Sequence, residues 1–473
     1  MAIRLWRTPL TRASYSWAAS LTRSRKAWAV VGAASLMAGL CGASPCYASA
    51  FFIREQSAAA LGNAFAGATA GADDITYMFS NGAAIARHEG SRIASVGTYL
   101  LSRAEFDHSG ASTVQGDTLG GGEGGRNGGG GAFIPSLYAR WDLSRTFDAI
   151  GKAAAGLAVN APFGFETDYE SGWMGRYYAL QSRLRSINVN PLVSVEPMPG
   201  VSFSLGAQAQ YIDVKLTNAI DFGTLGAVNQ VPGAEPAAQD GFAKLQGDAW
   251  GFGYTAGLLL EPWPGSRVGV AYRSSIDHKL KGDARVRLDS AGVGAALGAA
   301  PGTTAAKAGL ETPEIISFGA YHEIDAQWAV MADASWTRWS RFRVLRVKFD
   351  GGSQADEVIE DDWRDTWFLG LGCTYRPTPE WTIRSGVGYD QSPSRNRTRT
   401  PRTPANNGIL LSFGAGYTLN PAIELAFAYS HYFIDSARIN LRADAAGNAA
   451  RGNLSGSSEN ALDTLSLQLR WTF

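Results

Sequence analysis

The sequence predicts an all-β protein, a 14-stranded antiparallel transmembrane β-barrel with a small N-terminal hatch that plugs the lumen. Three observations lead to this fold class: apolar and polar residues alternate in about fourteen runs, a secretory signal precedes them, and the composition is rich in glycine and poor in charge. The 473 residues include 56 glycines, and only 18% are charged while 11% are aromatic. This composition suits a barrel whose outer face contacts lipid.

Residues 1–50 read as a signal peptide. Six basic residues precede an apolar run over residues 27–40, and Ala48-Ser49-Ala50 follows as a small-residue cleavage site. The run is too short to cross a bilayer as a helix, which takes about 20 residues. Cleavage before Phe51 would leave 36 Lys and Arg against 42 Asp and Glu, so the mature chain is mildly acidic. It therefore has no basic excess that would indicate nucleic-acid binding.

Residues 51–89 differ from everything that follows them. They are rich in alanine, glycine and other small residues, and they show no sustained alternation. Their glycines disfavour a long helix, because glycine costs about 1 kcal/mol relative to alanine in a helix interior. This composition predicts a compact hatch packed inside a lumen. A flexible N-terminal tail is the alternative.

Residues 90–473 contain the predicted barrel strands. In the last strand, Leu465, Leu467, Leu469, Trp471 and Phe473 alternate with polar residues, so one face of the strand is apolar. Runs of this kind have roughly the 9–11 residues that a tilted strand needs to cross the hydrocarbon. A soluble sandwich would bury such faces equally well, but it rarely has fourteen strands behind a secretion signal.

The connections between the runs alternate between short and long. The short ones carry turn chemistry, as in Pro197-Met-Pro-Gly200 and Pro262-Trp-Pro-Gly265. Seven long connections match seven hairpins. Tryptophan and tyrosine cluster at run ends, where an aromatic girdle is expected; these residues include Trp141, Trp263, Trp381, Tyr389 and Trp471.

Catalytic and metal-binding patterns are missing from the sequence. The five histidines show no metal-ligand spacing, and Cys373 is the single cysteine beyond the signal peptide. The sequence therefore predicts no enzyme, no cofactor and no metal. A serine and a histidine could still meet across barrel strands, so a lipid-acting outer-membrane enzyme is a less favoured alternative. A general porin is disfavoured, because a hatch would obstruct a water-filled lumen.

Several stretches resemble the FadL-type outer-membrane transporters, which import long-chain fatty acids and whose relatives take up toluene-like hydrocarbons. The resemblance covers nearly the whole chain after the signal and rests on the order and spacing of the fragments together. They are Leu61–Asp74, Asn160–Asp168, Trp250–Gly257, Val270–Ser274, Trp336–Ser340, Trp363–Asp365 and Arg384–Pro393.

The resemblance implies a channel in the bacterial outer membrane for uptake of hydrophobic small molecules, with lateral release into the membrane. Long-chain fatty acids are the first expectation and aromatic hydrocarbons the alternative. The expected partners are the hydrophobic substrate and outer-membrane lipid, and we expect a monomer. Lateral release is physically reasonable because a substrate entering water would lose about 0.8 kcal/mol per buried CH₂.

Phe51, Phe52 and Ile53 are predicted substrate-site residues at the mature N-terminus. Leaving these large apolar side chains in water would cost roughly 1.5–3 kcal/mol each. We therefore predict that they fill the internal pocket and compete with substrate for it. A purely anchoring role is the alternative.

The resemblance also implies gating residues. The family hatch usually carries Asn-Pro-Ala, whereas Ser80-Asn81-Gly82-Ala83 has glycine in place of proline, so hatch order or gating at Asn81 and Gly82 is expected to differ. Phe163 and Gly164 match the family's strand kink beside the lateral opening. A glycine spared for close strand packing is the alternative for Gly164.

A basic clamp for a substrate carboxylate is not clearly matched. Arg364 in Trp-Arg-Asp is the residue that the resemblance favours. The alternative is a lumen arginine paired with Asp362 or Asp365. A member without such a clamp would favour neutral hydrocarbons.

Overall fold

Antiparallel pairing carries the chain around a closed ring. The computed structural model describes residues 50–122, 130–144, 146, 151–350, 356–445 and 447–473. In it, β1 (Arg92–Ser112) pairs with β2 (Gly131–Asp142) on one edge and with the last strand, β20 (Asn453–Thr472), on the other. The ring is therefore closed by the two ends of the strand series. All but the last residue of the predicted signal peptide lies outside the described residues.

The segments between these are numbered in chain order, and every pairing among them is antiparallel. They are β3 (Lys152–Asn160), β4 (Gly164–Asp168), β5 (Gln181–Met198), β6 (Val201–Asp221), β7 (Asp240–Trp263), β8 (Ser266–Arg273), β9 (Ile276–Arg287), β10 (Gly302–Thr312), β11 (Ile315–Glu323), β12 (Trp328–Thr337), β13 (Val344–Phe349), β14 (Glu357–Glu360), β15 (Thr366–Tyr375), β16 (Trp381–Asp390), β17 (Gly408–Asn420), β18 (Ile423–Ile434) and β19 (Ala437–Leu441).

Six of the barrel strands are interrupted, so the twenty described segments form fourteen strands. The two parts of each interrupted strand share neighbours: β3 and β4 both pair with β5, and β8 and β9 both pair with β7. The other interrupted strands are β10 with β11, β12 with β13, β14 with β15, and β18 with β19. The predicted closed 14-stranded antiparallel barrel is confirmed.

Side chains alternate between the lumen and the outer surface, as the sequence pattern predicts. On β20, Leu467 and Leu469 are exposed, whereas Gln468 between them is buried against the lumen contents. Exposed tryptophans stand at the short-turn ends of the strands, including Trp141, Trp263, Trp328, Trp381 and Trp471. An apolar outer band with an aromatic girdle is the surface that lipid requires. No helix in the described part of the chain is long and apolar enough to cross a membrane.

Residues 50–89, the N-terminal segment, lie inside the ring. Hydrogen bonds tie this segment to strands on different sides of the barrel: Ala58 N donates to Gln468 on β20, Asn63 Nδ2 to Thr374 on β15, and Thr69 N to Asp333 on β12. Because these partners are spread around the ring, the segment crosses the lumen. It contains α1 (Ala58–Gly62) and two 3₁₀ helices, Ile75–Phe79 and Gly82–Arg87.

Strands β6 and β7 extend well beyond the membrane. They contain 21 and 24 residues, about twice the length that a tilted strand needs to cross the hydrocarbon. Their hairpin carries α2 (Phe222–Val228), which packs near α3 (Val293–Ala296). A third 3₁₀ helix, Trp339–Arg341, lies at the interruption between β12 and β13. The lumen is therefore deep, and its long-loop end is walled by protein.

Candidate functional site

An aromatic cluster surrounds Phe51 at the start of the N-terminal segment. Phe51 is 1% exposed, and its ring centroid lies 4.7 Å from that of Trp339 and 5.5 Å from those of Phe342 and Trp363. Phe163 approaches from the opposite wall at 5.8 Å. Burial of a phenylalanine side chain is worth roughly 1.5–3 kcal/mol, so this packing holds the start of the N-terminal segment in the lumen.

An apolar pocket, the upper pocket, lies beside this cluster toward the long-loop end. Phe51 lines it together with Leu184, Val214 and Leu310, and one side carries Asp361 and Arg402. Val214 and Leu216 also line an apolar groove between β6, β7, β9, β10 and β13. The groove and the upper pocket are therefore contiguous through shared residues.

Arg402 is the basic group of the upper pocket. Its Nη1 donates to Ser182 Oγ at 3.0 Å and its Nη2 to Asn218 Oδ1 at 3.2 Å. Among the described residues, no carboxylate oxygen lies within 4.0 Å of the Arg402 guanidinium, the distance that defines an ion pair. Burial lowers the pKa of Arg402 to about 10, so the guanidinium is still cationic at neutral pH. A buried cation with only neutral partners is suited to binding an anion.

Asp361 lies in the interruption between β14 and β15 and lines the same pocket. Burial raises the pKa of Asp361 to about 7, and the Arg402 charge opposes this rise only in part. The carboxyl group therefore changes charge near neutral pH. Its ionised form would compete with a bound anion for the arginine.

Phe52 and Ile53 join the wall where the third barrel strand is broken. Ile53 N donates to Pro162 O at 2.8 Å, and Gly164 N donates to Phe51 O at 2.9 Å. Phe52 and Phe163 form an antiparallel bridge with ring centroids 5.4 Å apart. Residues 51–53 therefore supply backbone hydrogen bonds at the break between β3 and β4.

The wall has a gap beside this junction. The ladder between β2 and β3 ends at the pair Leu137 and Val159, and β4 pairs with β5 on its other side. Among the described residues, no ladder joins β4 to residues 131–136 of β2, and Pro135 in that stretch has no N–H to donate. The gap is thus an interruption of the ladder beside the buried side chain of Phe163.

A second cavity, the lower cavity, lies on the other side of Phe52. Gly82 and Phe79 of the N-terminal segment line it, and Arg273 faces it from the wall. Arg273 donates to Gln208 and to Phe79 O, so its guanidinium holds the segment against the barrel. Phe51 lines the upper pocket and Phe52 lines the lower cavity, so consecutive side chains face the two cavities.

Asn81 lies apart from the strand break. Its Nδ2 donates to Thr69 O at 2.8 Å and to Leu258 O at 3.0 Å, while its Oδ1 caps the following 3₁₀ helix at Ala83 N. Asn81 thus fixes one turn of the N-terminal segment to β7. The structure brings Phe51, Phe52, Ile53, Phe163 and Gly164 together, places Gly82 at the lower cavity, and leaves Asn81 at this anchor.

Arg364 is exposed and lies outside both cavities. Its Nε donates to Ser392 O at 3.2 Å, and its N–H donates to Pro393 O. Asp362 pairs instead with Arg395 and Arg397, and Asp365 accepts from Ser340 N. A role for Arg364 as a clamp stays a prediction, and the contacts do not place it with Phe51.

A family comparison decides which class of barrel this is. The model of the family described as "Outer membrane protein transport protein (OMPP1/FadL/TodX)" matches residues 39–473, nearly the whole chain. The chain belongs to this family. It is therefore an outer-membrane protein of a family that transports hydrophobic substrates, and the predicted resemblance and location are confirmed.

Individual members of the OMPP1/FadL/TodX family show the same relationship. A long-chain fatty acid transport protein from Escherichia coli is 26% identical over 402 residues, which cover 81% of this chain and 87% of that protein. A FadL homologue from Pseudomonas aeruginosa has a TM-score of 0.81 at 25% identity. The match covers 90% of this chain and 100% of the homologue. The Pseudomonas putida toluene transporter TodX has a TM-score of 0.64 at 16% identity. The match covers 90% of this chain and 100% of TodX, and at this identity it shows the fold alone.

Potential catalytic pairs in this OMPP1/FadL/TodX family member are separate from one another. Ser266 Oγ lies 2.7 Å from His322 Nδ1 on β8 and β11, and His431 Nδ1 lies 2.7 Å from Asp463 on β18 and β20. Hydrogen bonds within the described ranges join no serine, histidine and carboxylate into one site. The same residues contain no group of three or more histidine, cysteine or acidic side chains able to hold a metal ion.

The sequence does not single out Arg402, Asp361 or the tryptophans that surround Phe51. Arg402 lies in a long connection that also carries Arg395, Arg397 and Arg399, and spacing alone does not distinguish these arginines. The structure distinguishes Arg402 by its burial beside an apolar pocket. Trp339 and Trp363 lie in stretches that resemble the family, but their sequence gives no sign that these side chains face Phe51.

Proposed function

We propose that this protein takes up long-chain fatty acids and releases them laterally into the outer membrane. Arg402 would hold the carboxylate in the upper pocket, and the alkyl chain would lie among the apolar side chains that line it. The similarity to a protein named for long-chain fatty acid transport, and to the FadL homologue of Pseudomonas aeruginosa, supports this substrate class.

The observation that carries the proposal is the buried guanidinium of Arg402. A buried cation that forms no ion pair within 4.0 Å among the described residues is costly unless a ligand supplies the missing charge. The adjoining wall is apolar, with Leu184, Val214 and Leu310 on it. An ionic head beside a hydrocarbon surface matches the two parts of a fatty acid.

The proposed route runs from the groove at the long-loop end to the gap in the wall. Substrate would enter the upper pocket through the shared residues Val214 and Leu216. It would then displace Phe51, and the N-terminal segment would act as the hatch. Because Gly164 N bonds to Phe51 O, movement of the terminus would also free the strand break between β3 and β4.

The test compares two arginine variants of the purified, detergent-folded protein. Arg402→Gln should weaken oleate binding by about 10- to 100-fold, since a hydrogen bond to a charged group is worth about 1.5–3 kcal/mol. Arg364→Gln is the matched control, because Arg364 is exposed outside the pocket, and it should bind as the unaltered protein does. Calorimetric titration with oleate gives both affinities. Equal oleate affinities in the unaltered protein, Arg402→Gln and Arg364→Gln would reject Arg402 as the carboxylate clamp.

Aromatic hydrocarbons are the second candidate, and the aromatic cluster favours them. Four rings within 6 Å of Phe51 form a surface to which a small arene would bind without any charge. Toluene should then bind more tightly than oleate, and Arg402→Gln should leave its affinity unchanged. That pair of results would replace fatty acids by hydrocarbons as the proposed substrates.

A further inference from the structure

Four polar side chains form one row across the inner face of the wall. Asn160 on β3 is the cross-strand partner of Asn188 on β5, and Asn188 is the partner of Gln210 on β6. Gln210 is opposite Gly251 on β7, beyond which lies His278 on β9. These four residues, the polar row, span about 19 Å at the usual 4.7–4.9 Å between strands.

Every member of the polar row is buried and incompletely bonded. Asn188 and His278 are 0% exposed, and both side-chain polar atoms of each residue have no hydrogen-bond partner among the described residues. The same holds for both polar atoms of Gln210 and for Asn160 Oδ1. Unsatisfied buried groups are destabilising, and native proteins keep few of them. Seven such atoms in one row indicate a surface that a polar ligand satisfies.

Gly251 lets the row reach across β7. A Cβ atom at this position would lie 2.8 Å from Nε2 of His278, which is closer than real Cβ contacts allow. A larger residue would therefore displace the imidazole. With glycine there, the ring of His278 covers the backbone of β7 and comes next to Gln210.

The polar row lies between the upper pocket and the gap in the wall. At one end, His278 is the cross-strand partner of Leu310, which lines the upper pocket. At the other end, Asn160 is the last residue of β3 before the break. Along β5, the lumen face passes from Ser182, which binds Arg402, through Leu184 of the pocket to Asn188. The row is thus a line of buried polar side chains between the two sites.

We propose that the polar row is a second, uncharged head-group subsite, which holds the carboxyl group of a fatty acid between Arg402 and the wall gap. This inference rests on the proposed function. Amide and imidazole N–H groups can donate to a carboxylate, and amide oxygens can accept from a protonated carboxyl group. Moving such a head group over an apolar surface without hydrogen-bond partners would be unfavourable. The row offsets that cost, and having no fixed charge it releases the head group more readily than Arg402 does.

The decisive variant replaces the row by apolar side chains of similar shape, Asn188→Leu with Gln210→Met. Removing unsatisfied buried groups in favour of apolar ones is nearly neutral for stability, so the barrel should form normally. Oleate uptake by cells should fall about tenfold, while equilibrium binding of oleate to the purified protein stays within about twofold. If the double variant gives no heat-modifiable barrel, Gln210→Met alone is measured in the same way.

Two controls separate head-group binding from lumen shape. Thr464→Val removes another buried, unsatisfied polar group, on β20 away from the row, and should leave uptake unchanged. The polar exchange Asn188→Gln with Gln210→Asn keeps the donors and should retain most of the uptake. Normal uptake in the apolar variant, or equal losses in the apolar and polar variants, would overturn the subsite. Failure of the unaltered protein to bind or import oleate would instead reject the proposed function, and the subsite with it.

Discussion

Asp361 and Arg402 place a titratable acid and a fixed cation in one pocket. Burial raises the pKa of Asp361 to about 7, so this group is largely neutral below that pH and ionised above it. In its ionised form it is an anion beside the guanidinium, where a substrate carboxylate would also bind. Ionisation therefore opposes anion binding, and the proposed clamp should weaken as the pH rises.

We expect oleate affinity to fall about tenfold between pH 6 and pH 8, since a like charge near the site disfavours the anion. Asp361→Asn removes the ionisation and should give an affinity that changes little over this range. Calorimetric titrations at both pH values, in the same detergent, provide the measurement. An equally steep pH dependence in Asp361→Asn would show that another group is responsible.

Gly164 packs so closely against Ile53 that an added methyl group would crowd that side chain. A Cβ atom there would lie 3.0 Å from Cδ1 of Ile53. Gly164→Val should therefore push the terminus away from the strand break and lower oleate uptake several-fold, with the amount of barrel unchanged. Gly309→Val is a suitable control because nothing lies within 4 Å of a Cβ at that position. Uptake by Gly164→Val equal to that of the control would remove Gly164 from the gating residues.

At the scale of elements, composition predicted that the N-terminal segment is not a strand. The break between β3 and β4 was predicted only through the family resemblance. Small residues and missing alternation over residues 51–89 separate the segment from the strands, because a strand in this barrel needs one apolar face. The pairing of Phe52 with Phe163 could not be predicted, since it joins two stretches far apart in the sequence. The position of Asn81 away from the break has the same cause, because one of its partners, Leu258, lies on β7.

Deleting residues 51–53 tests whether the segment competes with substrate. The deletion removes Phe51 from the aromatic cluster and should change oleate affinity or uptake at least threefold while the barrel still assembles. Phe51→Ala is the companion variant, because it removes the ring but keeps the backbone bond to Gly164. Binding and uptake identical to those of the intact protein in both variants would leave the terminus with an anchoring role alone.

On the scale of the whole molecule, the strand count was predictable because lipid imposes a strict pattern. Each barrel strand must present apolar side chains outward, so the runs could be counted from the alternation. Of the six interruptions, only the one at Phe163 and Gly164 was expected, and that expectation came from the family resemblance. At the break between β3 and β4, hydrogen bonds from the N-terminal segment replace ladder bonds, and a strand-by-strand pattern does not include such partners.

The C-terminal residue tests assembly of the barrel. Phe473 is exposed beside Trp471 on the outer surface, and its N–H donates to Ser91 O. Deletion of Phe473, or Phe473→Asp, should strongly reduce the amount of heat-modifiable protein in the outer membrane. Phe433→Asp is an informative comparison, because Phe433 is another exposed aromatic residue but lies away from the terminus. Normal levels of the Phe473 variants would show that the terminal aromatic is dispensable.

The pairing of β1 with β20 has a consequence for the order of assembly. Arg92 and Thr472 are partners, so this seam joins the first and the last strand of the ring. Closing a loop of about 380 residues costs roughly 5 kcal/mol of chain entropy, which favours late closure of the seam. The N-terminal segment has bonds to strands around the whole ring, among them Gln468 on the seam strand itself. We therefore expect the segment to be enclosed before the seam closes, so that its place inside the protein is decided during biogenesis.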